Sequence, residues 1–331
     1  MAIKTNSNIR LCITGGSGFI WTNAMDWAIN NDIQVINIDI KKPKKLDHIR
    51  FYKEIDLRDF KSLKRVLEEF RPTHIIHLAA ITGMGNFELK YFDANTVGVQ
   101  NLVIASNQIE ELERVIFTSS LLVCRNGYIP TNPIEFCPPN KYGESKVIGE
   151  KIVREHCVKS WIIVRPTSIW GPWFETSYFK FFKTIKKGLY INPGSTPIFK
   201  PLSYVGNTVY MIERLLFSKS VEVEKNVFYL ADYPYISIQD WSKIISKAFG
   251  RGEVLVAPIL IMKIIALMGD LLKFFGVTDP PITTFRLKNL LTGAYYPIEN
   301  TKKIVGDLPF GIEKGVEKTV KWVNNNLWTL K

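Results

Sequence analysis

The apolar run Ile9–Thr14 breaks into Gly15-Gly16-Ser17-Gly18 and then into the helix-like stretch Phe19–Asn30. A buried strand that ends in a glycine-rich turn and opens a helix narrows the possible folds sharply. The turn lets backbone approach a pyrophosphate, which then rests on the amides of the helix N-terminus. Gly15, Gly16, Ser17, Gly18, Phe19 and Ile20 are therefore candidate dinucleotide contacts. Asp39 ends the next strand-like run, Gln34–Asp39, about twenty residues on. A carboxylate there accepts from a ribose 2′-hydroxyl and repels a 2′-phosphate, favouring NAD over NADP. Lys41 and Lys42 follow at once and are placed to hold a 2′-phosphate, so both cofactors stay open, as does a solvated turn role for Asp39.

Further runs with strand character are His74–Leu78, Arg114–Ser119 and Trp161–Arg165. Helical spacing marks Phe60–Phe70, Phe87–Ile109 and Tyr142–His156. Continuous apolar strands alternating with helices predict an α/β fold, a doubly wound parallel sheet with helices on both faces. After Arg165 the elements shorten, punctuated by Gly171-Pro172, Pro193-Gly194 and Pro280-Pro281, and aromatics cluster at Trp170, Trp173, Phe174, Tyr178, Phe179, Phe181 and Phe182. The expected division is a dinucleotide-binding domain over 1–170 and a smaller α/β substrate-facing lobe over 171–331, with some of its segments returning to the main sheet.

With 331 residues, 46% hydrophobic and 22% charged, the chain has the profile of a soluble globular protein rather than a disordered one. A net charge of +12 favours anionic partners without choosing among them. Four scattered cysteines and no CxxC pair exclude a disulfide framework and point to a reducing, cytoplasmic compartment. The four histidines lack ligand spacing, so no metal site is expected. Met1–Arg10 is polar, with no visible signal peptide. Val254–Gly276 is the most apolar stretch, but Lys263, Asp270 and Lys273 interrupt it, so no transmembrane segment is expected. A half-buried amphipathic helix is the expectation, with interfacial membrane docking as the alternative.

Tyr142-Gly143-Glu144-Ser145-Lys146 opens a predicted helix. Residues four apart share a helical face, so phenol and ammonium can enter one cleft. The lysine charge favours the phenolate and brings a weak acid toward use near neutrality.

With these motifs in place, the chain resembles the extended short-chain dehydrogenase/reductase superfamily, in its NAD-dependent nucleotide-sugar epimerase/dehydratase branch. The resemblance rests on Thr14–Ile20, Asp56-Leu57, His77-Leu78-Ala79-Ala80, Asn95–Gly98, Thr118-Ser119-Ser120, Tyr142–Lys146, Arg165–Pro172 and the closing stretch Gly311–Trp322. It implies a Rossmann-type domain with a smaller substrate lobe. Tyr142 would be the general acid/base at a sugar hydroxyl, Ser120 would hydrogen-bond the reacting oxygen, and Lys146 would hold the nicotinamide ribose and depress the tyrosine. Asp56 and Leu57 would flank the adenine, and Leu78, Ala79, Ala80, Asn95, Thr118, Arg165 and Pro166 would line the cofactor trough. Thr82, Lys200 and Arg286 would meet the nucleotide-diphosphate sugar. Relatives pair through two helices, here Phe87–Ile109 and Tyr142–His156, which implies a homodimer.

Four departures qualify that picture. Leu121 and Leu122 stand where 4,6-dehydratases carry an Asp-Glu pair, and two leucines cannot move protons, so a dehydratase is not expected. Cys124-Arg125 replaces a Tyr-Gly turn, and the cysteine reads as a small buried hydrophobe. Val205-Gly206-Asn207 lacks a usual structural carboxylate. Trp21 takes the place of the fingerprint's third glycine, where an indole either displaces the first helix and weakens cofactor binding or sits among neighbours shrunk to seat it. The leading function is an NAD-dependent nucleotide-sugar epimerase, at C4, serving surface polysaccharide or sugar-nucleotide synthesis. The alternatives are an NAD(P)H-dependent 4-ketosugar reductase, a hydroxysteroid-type dehydrogenase, or a non-catalytic dinucleotide-binding relative; nucleic acid is not an expected partner.

Overall fold

The apolar runs that read as strands line up side by side. In the computed structural model, which describes residues 8–83, 85, 87–174, 177–277, 280 and 282–326, the central sheet comprises seven strands. They are β1 (Arg10–Thr14), β2 (Gln34–Asp39), β3 (Tyr52–Glu54), β4 (His74–His77), β5 (Arg114–Thr118), β6 (Trp161–Pro166) and β7 (Asn226–Leu230). Their order is β7-β6-β5-β4-β1-β2-β3, with every pairing parallel. This is a Rossmann-type α/β sheet whose order reverses beside β1, the place where such sheets take ligands. Thr14 is in register with Ile38 on one side and His77 on the other. The carboxyl ends of β1, β2 and β4 thus form one rim. Of the sequence features read above, Met1–Ser7 and Pro281 lie outside the described residues.

Helices flank both faces of the sheet and extend beyond it. They are α1 (Phe19–Asn30), α2 (Phe60–Phe70), α3 (Val97–Asn107), α4 (Lys141–His156), α5 (Ser177–Lys186), α6 (Val205–Leu216), α7 (Ile238–Ala248), α8 (Ile259–Phe274), α9 (Thr284–Leu291), α10 (Glu299–Val305) and α11 (Ile312–Asn326). One core joins α1 and α6 to the sheet through Met25, Ile212 and Leu215. The opposite core joins α2, α3 and α4 through Leu63, Leu102 and Val153. A third, aromatic core holds Trp170, Phe174, Phe182 and Trp241 together with Val316 of α11. The aromatic cluster expected to face substrate is therefore largely the packing centre of the second lobe, with Trp170 and Phe182 fully buried.

Three local expectations change. Phe87–Ile109 is not one helix: a 3-10 segment, Leu89–Asn95, precedes α3, and Thr96 between them leaves helical geometry. Val254–Gly276 yields α8, but only Met262, Ala266 and Gly269 of that helix are buried, so it is far from half-buried. Trp21 does not displace α1. The indole is 1% exposed and belongs to the α1–α6 core, where Ala24 and Ala28 are small and Met25 and Met211 are adaptable neighbours. The helix start is regular, with Thr22 N–H donating to the Gly18 carbonyl at 3.0 Å. The cost is an indole Nε1–H buried without a partner.

Candidate active site

The glycine turn packs too closely on β4 for any side chain. Gly15 has φ +76°, and a Cβ there would lie 2.5 Å from the Ala79 amide nitrogen. Gly15 N–H donates to the Ile38 carbonyl at 2.8 Å, and Ser17 N–H donates to Asp39 Oδ2 at 2.9 Å. Asp39 Oδ1 accepts from Lys41 N–H at 2.9 Å. The carboxylate at the end of β2 is thus tied to the turn at the end of β1, while Lys41 and Lys42 are exposed. Gly16 and Ser17 are buried, Gly18 is exposed, and Phe19 and Ile20 open α1 half-buried. Leu78, Ala79 and Ala80 run half-buried from β4 beside the turn. Leu57 is buried in the second core. Asp56 is held by Arg58 at 2.6 Å, which keeps its carboxyl below the usual carboxylate range. A tight glycine turn with a carboxylate tied to its amides fits an adenine dinucleotide.

The second constellation forms where β5 ends and α4 begins. Ser120 follows β5, and its Oγ accepts from Leu122 N–H at 3.1 Å. Asn140 caps α4 by accepting from Gly143 N–H at 2.8 Å. A Cβ on Gly143 would sit 2.2 Å from the Leu122 carbonyl oxygen. Glycine at that position lets the first turn of α4 lie against the Ser120 loop, which brings the Ser120 side chain beside the Tyr142 phenol. Burial raises the Tyr142 pKa and the neighbouring Ser120 hydroxyl opposes it. The expected depression by Lys146 is not the governing effect. The Lys146 ammonium instead donates to the Thr118 carbonyl at 2.9 Å, and burial lowers its own pKa to about 8. Behind it lies a cavity of about 20 Å³ lined by residues including His77, Asn95, Thr118, Ser119 and Glu150.

Several candidate residues prove to be supports. Asn95 is fully buried and clamps the strand-end loop to α4, with Oδ1 accepting from Ile81 N–H at 2.8 Å and Nδ2 donating to Ser145 Oγ at 2.9 Å. Arg165 does not face the trough. It is 0% exposed and forks onto Glu150 at 2.9 and 2.8 Å, with Tyr229 Oη at 2.8 Å. Burial opposes its charge, but the Glu150 carboxylate prevails and raises its pKa. Pro166 is buried at the end of β6, paired with Leu230. Lys200 donates to the carbonyls of Asn289, at 2.6 Å, and Thr292, tying down the end of α9; burial lowers its pKa to about 8. Arg286 is exposed on α9 and donates to the Pro280 carbonyl at 2.5 Å. Thr82 is exposed beyond β4. Cys124 is buried, with its thiol against the Glu135 carbonyl at 3.4 Å and its pKa pushed up by burial.

Residues passed over in the sequence carry part of the design. His77 Nδ1 pairs with Thr14 Oγ1 at 2.7 Å, its Nε2 has no partner, and burial followed by the Lys146 charge drops its pKa to about 3. Helical spacing places Glu150 on the same face of α4 as Lys146, but its pairing with Arg165 comes from the packing of α4 on β6. A buried carboxylate, Asp232, lies beside Ser203, Tyr204 and Asn207. It accepts from Tyr204 N–H at 2.9 Å, and burial raises it to about 7. A Cβ on Gly206 would lie 2.6 Å from the Tyr204 ring, which leaves no room for an aspartate there.

Comparison with known proteins agrees with this geometry. The sequence pattern of the NAD dependent epimerase/dehydratase family matches residues 11–202. The chain is 30% identical over 241 residues, 70% of either protein, to the N-acetyl-alpha-D-glucosaminyl-diphospho-ditrans,octacis-undecaprenol 4-epimerase of Escherichia coli O157:H7. Its fold is like that of the Thermotoga maritima UDP-glucose 4-epimerase, solved with UDP-glucose (TM-score 0.73, 19% identity, 96% of this chain and 100% of that one). It is also like the Thermus thermophilus UDP-glucose 4-epimerase, solved with NAD (TM-score 0.70, 20% identity, 96% and 99%). The chain belongs to the NAD-dependent epimerase/dehydratase family, and is an extended short-chain dehydrogenase/reductase enzyme whose cofactor is NAD.

Proposed function

We propose that the protein inverts the C4 hydroxyl of a nucleotide-diphosphate sugar by transient oxidation. The observation that carries this reading is the Ser120 side chain beside the Tyr142 phenol, with Lys146 anchored to the Thr118 carbonyl one turn further along α4 and only leucines at positions 121 and 122. When bound, NAD supplies the hydride acceptor and, on return, the donor. Tyr142 takes the O4 proton as the carbonyl forms and gives it back as the inverted alcohol forms. Ser120 donates to the same oxygen, and Lys146 holds the ribose hydroxyls and the local positive charge. Gly15, Gly16, Ser17 and Gly18 cradle the pyrophosphate, and Asp39 takes the ribose. No carboxyl is present at Leu121 or Leu122 to eliminate water, so the ketosugar is returned rather than dehydrated.

On the right sugar nucleotide the reaction produces the C4 epimer with no net change in the NADH absorbance band. Stoichiometric NADPH consumption with a ketosugar would support the reductase reading instead. A second reading replaces the nucleotide by a lipid carrier on the same sugar diphosphate. The substrate in the name of the Escherichia coli relative supports it, and turnover of a polyprenyl-diphosphate sugar but not of UDP-sugars selects it. The reading includes a homodimer through α3 and α4, checked by light scattering against the 38.0 kDa chain. It also includes a cytoplasmic setting, consistent with free cysteines at positions 12, 124, 137 and 157 and checked by cell fractionation.

A further inference from the structure

Helix α8 turns its apolar side away from the protein. Met262, Ala266 and Gly269 form the buried stripe. The stripe is closely seated, since a Cβ on Gly269 would fall 1.7 Å from the Ile282 carbonyl oxygen. At about 100° per residue, Lys263, Asp270 and Lys273 fall in a sector of about 80° adjoining that stripe. Asp270 is turned inward, accepting from Thr284 Oγ1 at 2.5 Å. The opposite half of the helix carries only apolar side chains. Leu260, Ile264, Leu267, Met268, Leu271 and Phe274 are each more than half exposed. Leu255 and Val256, on the strand leading into α8, extend the same patch. Contiguous apolar surface of this kind marks an interaction site in a native protein.

We infer that α8 lies on an anionic phospholipid surface, with its outer face among the acyl chains and Lys263 and Lys273 at the headgroups. Charge selects this occupant. Residues 177–200 and 236–291 hold twelve Lys and Arg against four Asp and Glu, so this part of the chain carries +8 of the total +12. Two copies meeting through α8 would bring Lys263 and Lys273 of each copy together, whereas an anionic leaflet complements them. Length selects the depth. Sixteen residues span about 24 Å, short of a hydrocarbon core of about 30 Å, and no helix among the described residues is long and apolar enough to cross a membrane. The helix therefore lies in the interface rather than spanning it. Thr292, which caps the end of α9 beside α8, comes within 3.5 Å of a Cβ built on Gly127, in the loop after Ser120. The docking itself does not depend on which reaction the site performs.

The test uses the full chain in flotation with phosphatidylcholine vesicles containing phosphatidylglycerol, alongside the Leu267→Glu/Phe274→Glu double variant. The expected result is wild-type protein floating with the vesicles, less so as salt rises. The variant should bind at least about tenfold more weakly, with unchanged melting temperature and unchanged turnover of a soluble sugar nucleotide. Lys263→Glu/Lys273→Glu should weaken flotation in the same direction. Wild-type protein left at the bottom of the gradient, or a Leu267→Glu/Phe274→Glu variant that floats equally well, overturns the proposal. So does a wild-type dimer that this variant converts to monomer without any vesicle binding, since the face would then be a protein interface. Turnover is measured separately, so failure of docking is distinguishable from failure of the proposed epimerase reaction.

Discussion

Thr14 Oγ1 lies 2.7 Å from His77 Nδ1, so the hydroxyl that ends β1 fixes the imidazole that ends β4. The ring is nearly inaccessible and is held neutral, its pKa lowered to about 3 by burial and then by the Lys146 charge. His74, three residues earlier on the same strand, is lowered to about 4 by burial and then by Arg114.

Both histidines make the fold sensitive to acid. In the unfolded chain they take protons below about pH 6.5, whereas in the folded chain they resist until about 4 and 3. Between those values the unfolded state binds more protons, so stability rises with pH and falls on acidification. The expected loss is about 2 kcal/mol per histidine by about pH 5. Urea midpoints at neutral and acid pH check this, and His77→Asn should flatten the dependence. Equal midpoints at both pH values would contradict it.

Tyr142→Phe should leave the melting temperature unchanged, because the ring retains its packing 5.9 Å from Phe92. Turnover should fall at least about 100-fold, the scale of general acid–base catalysis. Near-normal turnover removes Tyr142 from the chemistry.

Trp21→Gly should destabilise the protein by at least about 3 kcal/mol, since a fully buried indole leaves a large cavity. Trp21→Phe should cost far less, because it also removes an unpaired Nε1–H. Denaturant midpoints measure both, and calorimetric titration with NAD should show no gain in affinity for the glycine variant. Tighter NAD binding at an unchanged midpoint would mean that the indole strains the phosphate turn after all.

The Arg165–Glu150 pair should show strong coupling. Either Arg165→Met or Glu150→Leu alone strands a buried charge and should cost about 3–5 kcal/mol. The double variant should cost much less than the sum. An additive cycle would show that the two groups act independently despite their 2.8 Å contact.

How much of this was legible in the sequence depends on range. Five of the strands were readable because burial on both faces requires apolar runs, whereas the apolar β7, Asn226–Leu230, was not named; the phosphate turn was readable because its steric demand falls on consecutive glycines. β3 escaped because Tyr52-Lys53-Glu54 is a short, polar edge segment. The Tyr142–Lys146 pair was readable as a helical repeat, whereas the role of Arg165 was not, because its partner Glu150 is brought close only by packing of α4 on β6. Trp21 misled for a related reason. A missing glycine announces a steric conflict, but the room that resolves it comes from α6, nearly two hundred residues away in the chain.

The hydrogen bond from Ser17 N–H to Asp39 bears on how this enzyme can change. The carboxylate assigned to the ribose is also the tether of the turn assigned to the pyrophosphate. Preference and grip therefore share one side chain. Replacing Asp39 with a neutral or basic residue to admit a 2′-phosphate releases the Ser17 amide in the same step. The first variant on any route toward NADP would hold both cofactors poorly, and recovery would need a second change that restrains the turn. With Asp39 at the ribose as proposed, cofactor choice in this scaffold is thus coupled to the tether of the turn, which puts a valley in sequence space between the two cofactors.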